Sequence, residues 1–361
     1  MKKVIAILSV ILLILVGCAG KEDNLTKKPE KKLPDVKKEE VIKKLTADLA
    51  KFHFVADWLT NTEIVYVEKE AGNYFVKSFN IQTGEIKILY EESSIIIDVF
   101  IHPSKEHLLI HTTDNPASGT VKIISLDGIV QHEVSIESSE LEIEWNDIDP
   151  SLILMTAFYE DWTYDVFVYE GSESNVRLLT LENPFPKWFG TEKIVLTDIS
   201  SHALDGGELY IHDRISAQQE STDINDVIHY DTYQESLLLM RITEDEKVMY
   251  TILNQDQSIL SEWQMPAVSN YSEWVIPEIH WISKNHIVLA STESEGQQDE
   301  LKEPYQLVQV IEGEQAVIAK EALAGPLTCS PDGEKCLTGY TFEKLIDIKS
   351  KEETLWLRLD E

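Results

Sequence analysis

The sequence has little of what a nucleic-acid-binding protein or a helical membrane protein requires. Only 31 of its 361 residues are Lys or Arg, against 64 Asp or Glu, so the formal net charge is −33. A field of this sign disfavours DNA, RNA and anionic lipid as direct ligands, because those partners need basic surface. The apolar run Val4 to Val16 is shorter than the about 20 residues of a spanning helix. Helix signals are nearly absent after residue 50.

The linear motifs of common enzyme classes are also missing. The chain contains no Gly-x-Ser-x-Gly elbow, no His-Glu-x-x-His pair, no phosphate-binding P-loop and no Gly-x-Gly-x-x-Gly fingerprint. These absences favour a protein without catalytic activity, although an enzyme can lack any such linear motif.

The first 18 residues have the pattern of a targeting signal. Met1-Lys2-Lys3 is a basic start, and the apolar run leads to Leu15-Val16-Gly17-Cys18. This order is typical of a secretory signal, and its last four residues resemble the lipobox of bacterial lipoproteins. We expect Cys18 to carry a diacylglycerol and a palmitate label, since two acyl chains suffice for stable anchoring. An ordinary cleaved signal that contains a Cys is the alternative.

Three regions follow from composition. Residues 1–17 are predicted to be the signal peptide, and 18–50 the lipidated Cys with a Lys- and Glu-rich tether, which cannot bury enough apolar surface to fold. Val41, Ile42, Leu45 and Leu49 have the spacing of a short helix. Residues 51–361 are predicted to form the main domain. From residue 52 onward it has 19 Lys and Arg and 57 Asp and Glu, which gives a net charge of −38.

Short apolar triplets recur along this domain. Their central residues lie 42 to 50 positions apart. This spacing predicts an all-β fold, a single β-propeller with one repeat per blade. Seven blades are favoured over six or eight, and a pair of β-sandwiches is the structural alternative. The triplets are Ile64-Val65-Tyr66, Leu108-Leu109-Ile110, Leu152-Ile153-Leu154, Ile194-Val195-Leu196, Leu237-Leu238-Leu239, Ile287-Val288-Leu289 and Cys336-Leu337-Thr338.

Individual repeats add detail to this prediction. Trp58, Trp188 and Trp281 each precede an Ile-Val pair by six residues, and we expect their rings to fill the wedges between blades. The fourth repeat lacks a convincing outer strand, because "RISAQQESTDIND" is too polar. The sixth carries a long excursion, "TESEGQQDELKEPY", between its second and third strands.

Cys329 and Cys336 flank a predicted hairpin turn. The segment Pro331-Asp332-Gly333-Glu334 reads as a turn that places the two cysteines opposite each other. Directly paired strand residues lie within disulfide range, and an oxidising compartment allows the bond. A disulfide and two buried free thiols are both consistent with the sequence.

The lipobox, the Lys-rich tether and the Trp-x₅-Ile-Val phrase together resemble the YqgU-like β-propeller lipoproteins of Gram-positive bacteria. "SPDGEKCLTGY" is more distantly similar to the blade phrase of TolB-type propellers. The resemblance implies architecture and supplies no catalytic residues. It also implies six blades, whereas the spacing of the repeats favours seven.

Propeller geometry points to two candidate sites. The first is the channel mouth, where polar side chains near the Trp register could bind a metal, act as acids and bases or simply hydrogen-bond strand ends: Asp57, His102, Asn146, Lys187, His229 and His280. The second is a loop with Tyr159, Trp162 and Tyr164, whose rings suit sugar or protein contacts or pack over a blade edge.

The sequence contains few signs of a cofactor or a partner. No cofactor is expected, although "WNDIDP" (145–150) and "DINDV" (223–227) leave a Ca²⁺ ion as an alternative. We expect a lipid-anchored, extracytoplasmic protein whose propeller binds an envelope protein or a cell-wall glycan without catalysis. An extracellular hydrolase or lyase with its site in the channel mouth is the alternative function.

The anchor is testable on cells. Radiolabelled palmitate should be incorporated into the wild-type chain and not into Cys18→Ala, because the variant lacks the acceptor thiol. Equal labelling of the two chains would contradict the predicted lipobox.

Overall fold

Seven four-stranded antiparallel sheets follow one another along the chain in the computed structural model. The model describes residues 41–199, 202, 204–245, 247–322 and 324–360. Each sheet, or blade, is built from one continuous segment. The predicted seven-bladed propeller is therefore confirmed. No helix among the described residues has the length and hydropathy to cross a bilayer, and Cys18 with its flanking leader lies outside them.

A first strand precedes the ring of blades and three blades follow it. The strands are β1 (Leu45–Asp48); in blade 1, β2 (Phe52–Trp58), β3 (Glu63–Glu70), β4 (Asn73–Asn80) and β5 (Ile86–Glu92); in blade 2, β6 (Ile95–Ile101), β7 (His107–Asn115), β8 (Ser118–Ser125) and β9 (Val130–Glu137); in blade 3, β10 (Glu140–Trp145), β11 (Leu152–Phe158), β12 (Tyr164–Glu170) and β13 (Asn175–Leu179).

Four further blades complete the ring. The strands are, in blade 4, β14 (Lys187–Phe189), β15 (Lys193–Thr197), β16 (Leu209–Asp213) and β17 (Gln218–Ser221); in blade 5, β18 (Val227–Tyr233), β19 (Ser236–Ile242), β20 (Lys247–Asn254) and β21 (Ile259–Pro266); then β22 (Val268–Ser269); in blade 6, β23 (Ile279–Ser283), β24 (His286–Ser291), the inserted β25 (Gly296–Gln297), β26 (Tyr305–Ile311) and β27 (Glu314–Ala322); in blade 7, β28 (Thr328–Cys329), β29 (Lys335–Thr338), β30 (Lys344–Asp347) and β31 (Glu352–Leu355); and finally β32 (Leu357–Asp360).

The second strand of every blade is the one that the apolar triplets predict. Each of the seven triplets lies at the start of such a strand, and their residues are buried. A strand in the middle of a blade packs against both neighbouring blades, so it carries a continuous apolar run instead of an alternating one. The outer strands face solvent and are accordingly more polar, as β5 and β9 show.

Buried side chains form seven clusters, one at each junction between blades. Trp58 lies in the cluster between blades 7 and 1, and Trp188 in the cluster between blades 3 and 4. Trp281 packs against the cluster between blades 5 and 6 but stays partly exposed. Two of the three repeated Trp rings therefore fill wedges as expected, and the third has an edge on the central channel.

The two ends of the described chain close the ring. Strand β1 pairs in parallel with β32, from Leu45 opposite Leu357 to Asp48 opposite Asp360. Leu45 and Ala47 point into the junction cluster, while Thr46 and Asp48 are exposed. The helix predicted around Val41–Leu49 was wrong, because burial here alternates with the period of two that a strand requires.

Two irregular repeats have different outcomes. Blade 4 does have an outer strand, β17, so its predicted absence was wrong. All four of its residues are exposed, and a strand with no buried face has no apolar signature. The long excursion of the sixth repeat is present between β24 and β26, and its β25 pairs in parallel with β22.

Trp188 and Trp162 provide a matched test of the wedge packing. Trp188 is 3% exposed and Trp162 is 95% exposed. Trp188→Ala should lower the free energy of unfolding by about 3–5 kcal/mol, because it truncates a buried core side chain. Trp162→Ala should change that free energy by less than about 0.5 kcal/mol. Urea unfolding followed by circular dichroism measures both; equal losses would contradict the wedge role of Trp188.

Candidate functional site

The two faces of the ring carry different loops. The entry face holds the loops that lead into each first strand and the loops that join second and third strands. The exit face holds the turns between first and second and between third and fourth strands. Residues near the Trp register lie at the ends of the first strands, so they are near the exit face. Tyr159, Trp162 and Tyr164 are on the entry face.

One position on each first strand forms a layer around the channel. These residues, called the channel ring here, pair with the central residue of the apolar triplet on the second strand, except that Glu144 pairs with Leu154, the third residue of its triplet. The members, from blade 1 to blade 7, are Asp57, Phe100, Glu144, Lys187, Asp231, His280 and Thr328. Five of the seven side chains are titratable.

Lys187 is the centre of an ion cluster in this ring. Its Nζ lies 2.7 Å from Oε2 of Glu144 on blade 3 and 3.9 Å from Oδ1 of Asp231 on blade 5. Between a fifth and a third of each of the three side chains is accessible, through the channel. The ammonium therefore joins three consecutive blades by charge.

The cluster has more carboxylates than cations, and the pKa values of two of these carboxyls are raised. Burial raises the pKa of Glu144 to about 7, against the opposing effect of the Lys187 ammonium. Burial likewise raises the pKa of Asp147 to about 6. For Lys187, burial lowers the pKa, but Glu144 and Asp231 outweigh it, so the net shift is upward. The channel thus holds a fixed cation beside acids that titrate near neutrality.

The channel widens into a funnel at the exit face. The funnel has a volume of about 370 Å³, and Asp57, Lys105, Asp147, His280 and Trp281 are among the residues that line it. Its mixture of acid, base, imidazole and aromatic groups could hold a small polar molecule or move a proton.

Trp281 and Asp147 are fixed in the funnel wall by neighbouring groups. The Trp281 Nε1 donates to Oδ2 of Asp231 at 2.8 Å, and the indole stacks on Tyr233 with centroids 5.9 Å apart. Asp147 accepts a hydrogen bond from the Gln234 backbone N–H at 2.9 Å. These contacts hold the two side chains in place without closing the funnel.

Burial favours the neutral form of the two histidines that lie in the channel. Burial lowers the pKa of His229 and of His280, although Asp231 opposes the shift at His229 and Asp57 opposes it at His280. A neutral imidazole has one donor and one acceptor nitrogen. The backbone of Cys329 also opposes the shift at His280.

His102 and Asn146 serve the wall of the ring and not its lumen. His102 is buried, donates from Nε2 to the Asn146 carbonyl at 3.0 Å and accepts at Nδ1 from the Ser104 N–H at 3.1 Å. Asn146 donates from Nδ2 to the Gly190 carbonyl at 2.8 Å. Of the six polar residues predicted near the Trp register, these two are therefore fully engaged between blades.

Such hydrogen bonds cross six of the seven junctions near the exit mouth. Going around the ring, the bonds are Lys105 Nζ to the Trp58 carbonyl, His102 Nε2 to the Asn146 carbonyl, Asn146 Nδ2 to the Gly190 carbonyl, the Gly190 N–H to the Gln234 carbonyl, Trp281 Nε1 to Asp231, and Thr328 Oγ1 to Asp57.

Cys329 and Cys336 are joined in a disulfide beside the funnel. They are directly opposed in the β28–β29 hairpin, their sulfurs are bonded, and both are buried. Cys329 belongs to the funnel wall.

Only one of the three loop aromatics is freely exposed. Trp162 is 95% exposed. Tyr159 packs against the cluster between blades 2 and 3 and donates to Asp165, and Tyr164 packs against the next cluster and donates to the Glu182 carbonyl.

Metal ligands do not converge in the part of the chain described. No group of three or more His, Cys, Asp or Glu side chains there is arranged to hold an ion. In "WNDIDP", Asn146 and Asp149 accept hydrogen bonds from their own loop. The Ca²⁺ alternative stays a prediction.

Three members of the site were missed in the sequence: Glu144, Asp147 and Asp231. Asp and Glu are so frequent in this chain that a carboxylate at any one position carries little information. The signal that could have found two of them is positional. Asp231 pairs with the centre of its triplet, as Asp57 and Lys187 do, and Glu144 directly precedes Trp145 as those two residues directly precede Trp58 and Trp188.

Glu144→Gln tests the electrostatics of the cluster. The ordinary pKa of the carboxyl is 4.5 and folding raises it to about 7. Stabilisation by protonation is therefore fully present below about pH 4.5 and is lost as the pH rises through about 7. The variant has an amide at position 144, which does not ionise. The unfolding free energy of the wild type, relative to the variant, should fall by about 2–3 kcal/mol from pH 4.5 to pH 8.

Urea unfolding across this pH range measures the difference in unfolding free energy between the wild type and the variant. Removing a partner of Lys187 changes this difference by the same amount at every pH, so it does not affect the pH dependence. Glu137→Gln, at an exposed position of blade 2, is the control and should give a flat difference. A flat difference for Glu144→Gln as well would mean that Glu144 ionises at its ordinary pKa.

Comparison with known proteins supports the architecture. The chain is 24% identical over 300 residues to the uncharacterized lipoprotein YqgU of Bacillus subtilis (strain 168), covering 82% of this chain and 81% of the relative. It is similar in structure to the uncharacterized protein lmo1340 of Listeria monocytogenes EGD-e, with a TM-score of 0.81, 18% identity, and coverage of 88% and 98% of the two chains.

An oligogalacturonate lyase in complex with manganese has the same kind of fold, with a TM-score of 0.54 and 12% identity over 81% of this chain and 86% of the lyase.

A family model fixes the relationship. It describes a YqgU-like 6-bladed β-propeller domain and matches residues 80–339. The matched stretch contains blades 2 to 6 complete and only parts of blades 1 and 7, whereas the described chain has seven blades. The chain belongs to the YqgU-like β-propeller family.

Proposed function

We propose that this protein is a lipid-anchored, extracytoplasmic binding module that docks a partner protein on its entry face. One observation carries the proposal. Every strongly exposed aromatic side chain among the described residues, namely Trp162, Phe185, Tyr271 and Tyr340, lies in a loop of the entry face. Neither the exit face nor the outer strands have one within the described part of the chain.

The four rings are well placed for contact. Trp162 is 95% exposed, Tyr340 81%, Tyr271 63% and Phe185 55%. Trp162 and Tyr271 have φ values of 67° and 73°, in the left-handed region where residues with side chains are uncommon. Each of these loops is held by local hydrogen bonds, such as Thr163 on Asp161 and the Tyr271 N–H on Gln297. Aromatic side chains in this situation are typical interaction anchors.

The distribution of the rings favours a protein over a glycan. They belong to blades 3, 4, 6 and 7 and so are spread around the face of the ring. A protein interface of ordinary size buries about 800 Å² on each partner and has several separated anchors. A glycan chain would use a local cluster instead. Phe158 and Phe185, with centroids 5.8 Å apart, are the nearest approach to one.

The charge of the propeller indicates the chemistry of the partner. From residue 52 onward the chain has a net charge of −38. We therefore expect the facing surface of the partner to be basic. Complementary charge would accelerate association at low salt.

The anchor defines where this binding takes place. Leu15-Val16-Gly17-Cys18 has the lipobox pattern, and the Bacillus subtilis relative is itself named a lipoprotein. A signal peptide ahead of a lipidated Cys18 would leave the propeller tethered on the outer side of the cell membrane.

A hydrolase or lyase with its site in the channel mouth is the second candidate. Glu144 and Asp147, with pKa values raised to about 7 and about 6, are the observation in its favour, since such groups can exchange protons near neutral pH. The lyase of similar fold adds only that such propellers can host catalysis. Turnover of a pectic or other acidic glycan by the wild type, lost in Glu144→Gln, would favour this candidate.

Replacing all four exposed rings by Ala should abolish partner capture. The test is photocrosslinking in intact cells from a benzoylphenylalanine at Ser272, beside Tyr271. The wild type should give a discrete protein adduct. In the quadruple variant the yield of this adduct should be at least about thirty-fold lower, as expected when hot-spot aromatics are removed. Folding should be unchanged, because the rings are exposed.

The control uses the exit face, where Ile129→Ala with Ile215→Ala removes two side chains that are 60% and 67% exposed. It should leave the adduct intact. Equal loss in both variants, or an adduct unaffected by the four Ala changes, would contradict protein docking at this face. Binding to purified wall glycan that depends on the rings, without a protein adduct, would assign the face to glycan instead.

A further inference from the structure

A cleft on the entry face, between blades 2 and 3, is separate from the exit funnel. Its volume is about 400 Å³, within the range of small-molecule sites. The starts of the first strands β6 and β10 form one side, and the β7–β8 loop forms the other. Its walls combine the apolar side chains of Phe100 and Leu141 with acidic groups.

His111 is a buried polar group without a partner in this cleft. It is 8% exposed, it lines the cleft, and its ring makes no hydrogen bond within the described chain. Burial lowers the pKa of His111 and so favours the neutral imidazole, which offers one donor and one acceptor. A buried polar side chain normally has a hydrogen-bond partner. Its nitrogens are therefore available to a molecule in the cleft.

Glycine keeps the space beside His111 open. A Cβ added at Gly119 would lie 2.9 Å from Nε2 of His111 and 2.9 Å from a methyl carbon of Leu141. Any residue larger than Gly at position 119 would push the imidazole or the leucine away. The opening at the imidazole thus depends on the absence of a side chain.

The charged groups that line the cleft all have the same sign. They are the carboxyls of Asp98, Glu140 and Glu142, and no Lys or Arg is among the lining residues. Asp98 uses one oxygen to accept the Val99 N–H at 2.7 Å. Burial raises the pKa of Asp98 and of Glu142, and Glu142 is also affected by Lys187 in the opposite direction. A bound cation would relieve the cost of ionising these acids.

We propose that the cleft between blades 2 and 3 binds a small organic molecule that carries a primary ammonium group. The ammonium lies between Asp98 and Glu142, which supply acceptors for its three N–H donors. The carbon skeleton packs on Phe100 and Leu141. A polar substituent such as a hydroxyl bonds to His111. An anionic ligand is disfavoured because no Lys or Arg is among the described residues that line the cleft.

The ammonium could belong to an amino sugar or to an aryl amine, and matched probes separate the two. Glucosamine and tyramine carry the ammonium, whereas N-acetylglucosamine and N-acetyltyramine have nearly the same skeletons without the charge. Titrations of the detergent-solubilised full chain, followed by the NMR signals of the His111 ring, measure each affinity. At least one ammonium probe should bind at least about ten-fold more tightly than its neutral partner.

Asp98→Asn tests the carboxylate directly, because it removes the charge and keeps the shape. It should weaken binding of the ammonium probe at least about ten-fold. Glu142→Gln is a second variant, to be used if Asp98→Asn does not fold. Glu137→Gln removes the same charge from blade 2 outside the cleft and should leave affinity unchanged. Equal affinity for charged and neutral probes, no binding of either ammonium probe at about 10 mM, or full affinity in both cleft variants would overturn the proposal.

Discussion

The contact between the first and the last blade is the constraint on which the rest of the molecule depends. Every blade is one continuous segment, so no four-stranded sheet among the described residues mixes strands from the two ends of the domain. The ring is held shut by the β1–β32 pair, by a cluster that includes Trp58 and Trp356, and by the Thr328–Asp57 hydrogen bond. A blade cannot bury both faces alone. If this junction opened, blades 1 and 7 would each expose an apolar face, and the channel would lose its wall.

Closure also explains why charged groups can be kept in the channel. Lys187 meets Glu144 and Asp231 only because blades 3, 4 and 5 are held at fixed angles by packed wedges. The hydrogen bonds around the exit mouth maintain the same spacing, with Gly190 both accepting from Asn146 and donating to Gln234. Rigidity at this end leaves the long loops of the entry face as the part that varies between blades, and they carry the exposed rings.

Architecture was readable from the sequence because it is repeated. The triplet around Val65 recurs wherever a strand is buried on two faces, and Trp58 and Trp188 recur wherever a wedge needs filling. The site was less readable, since a cluster such as Glu144 with Lys187 is formed by residues about 43 positions apart on different blades. His102 shows the same limit: its role depends on the Asn146 carbonyl of the next blade. Strand β17 was missed because an outer strand facing water needs no apolar residue.

The pairing of β1 with β32 has a consequence for the order of folding. Leu45 is opposite Leu357, so almost the entire domain lies in the loop that this pair closes. The entropy cost of such a closure is large compared with that of a hairpin, and it is recovered only when the junction cluster forms. Blades can condense one after another as the chain emerges. Strand β1 must wait, unpaired, until β32 is free, which makes the β1–β32 pairing the last step of assembly.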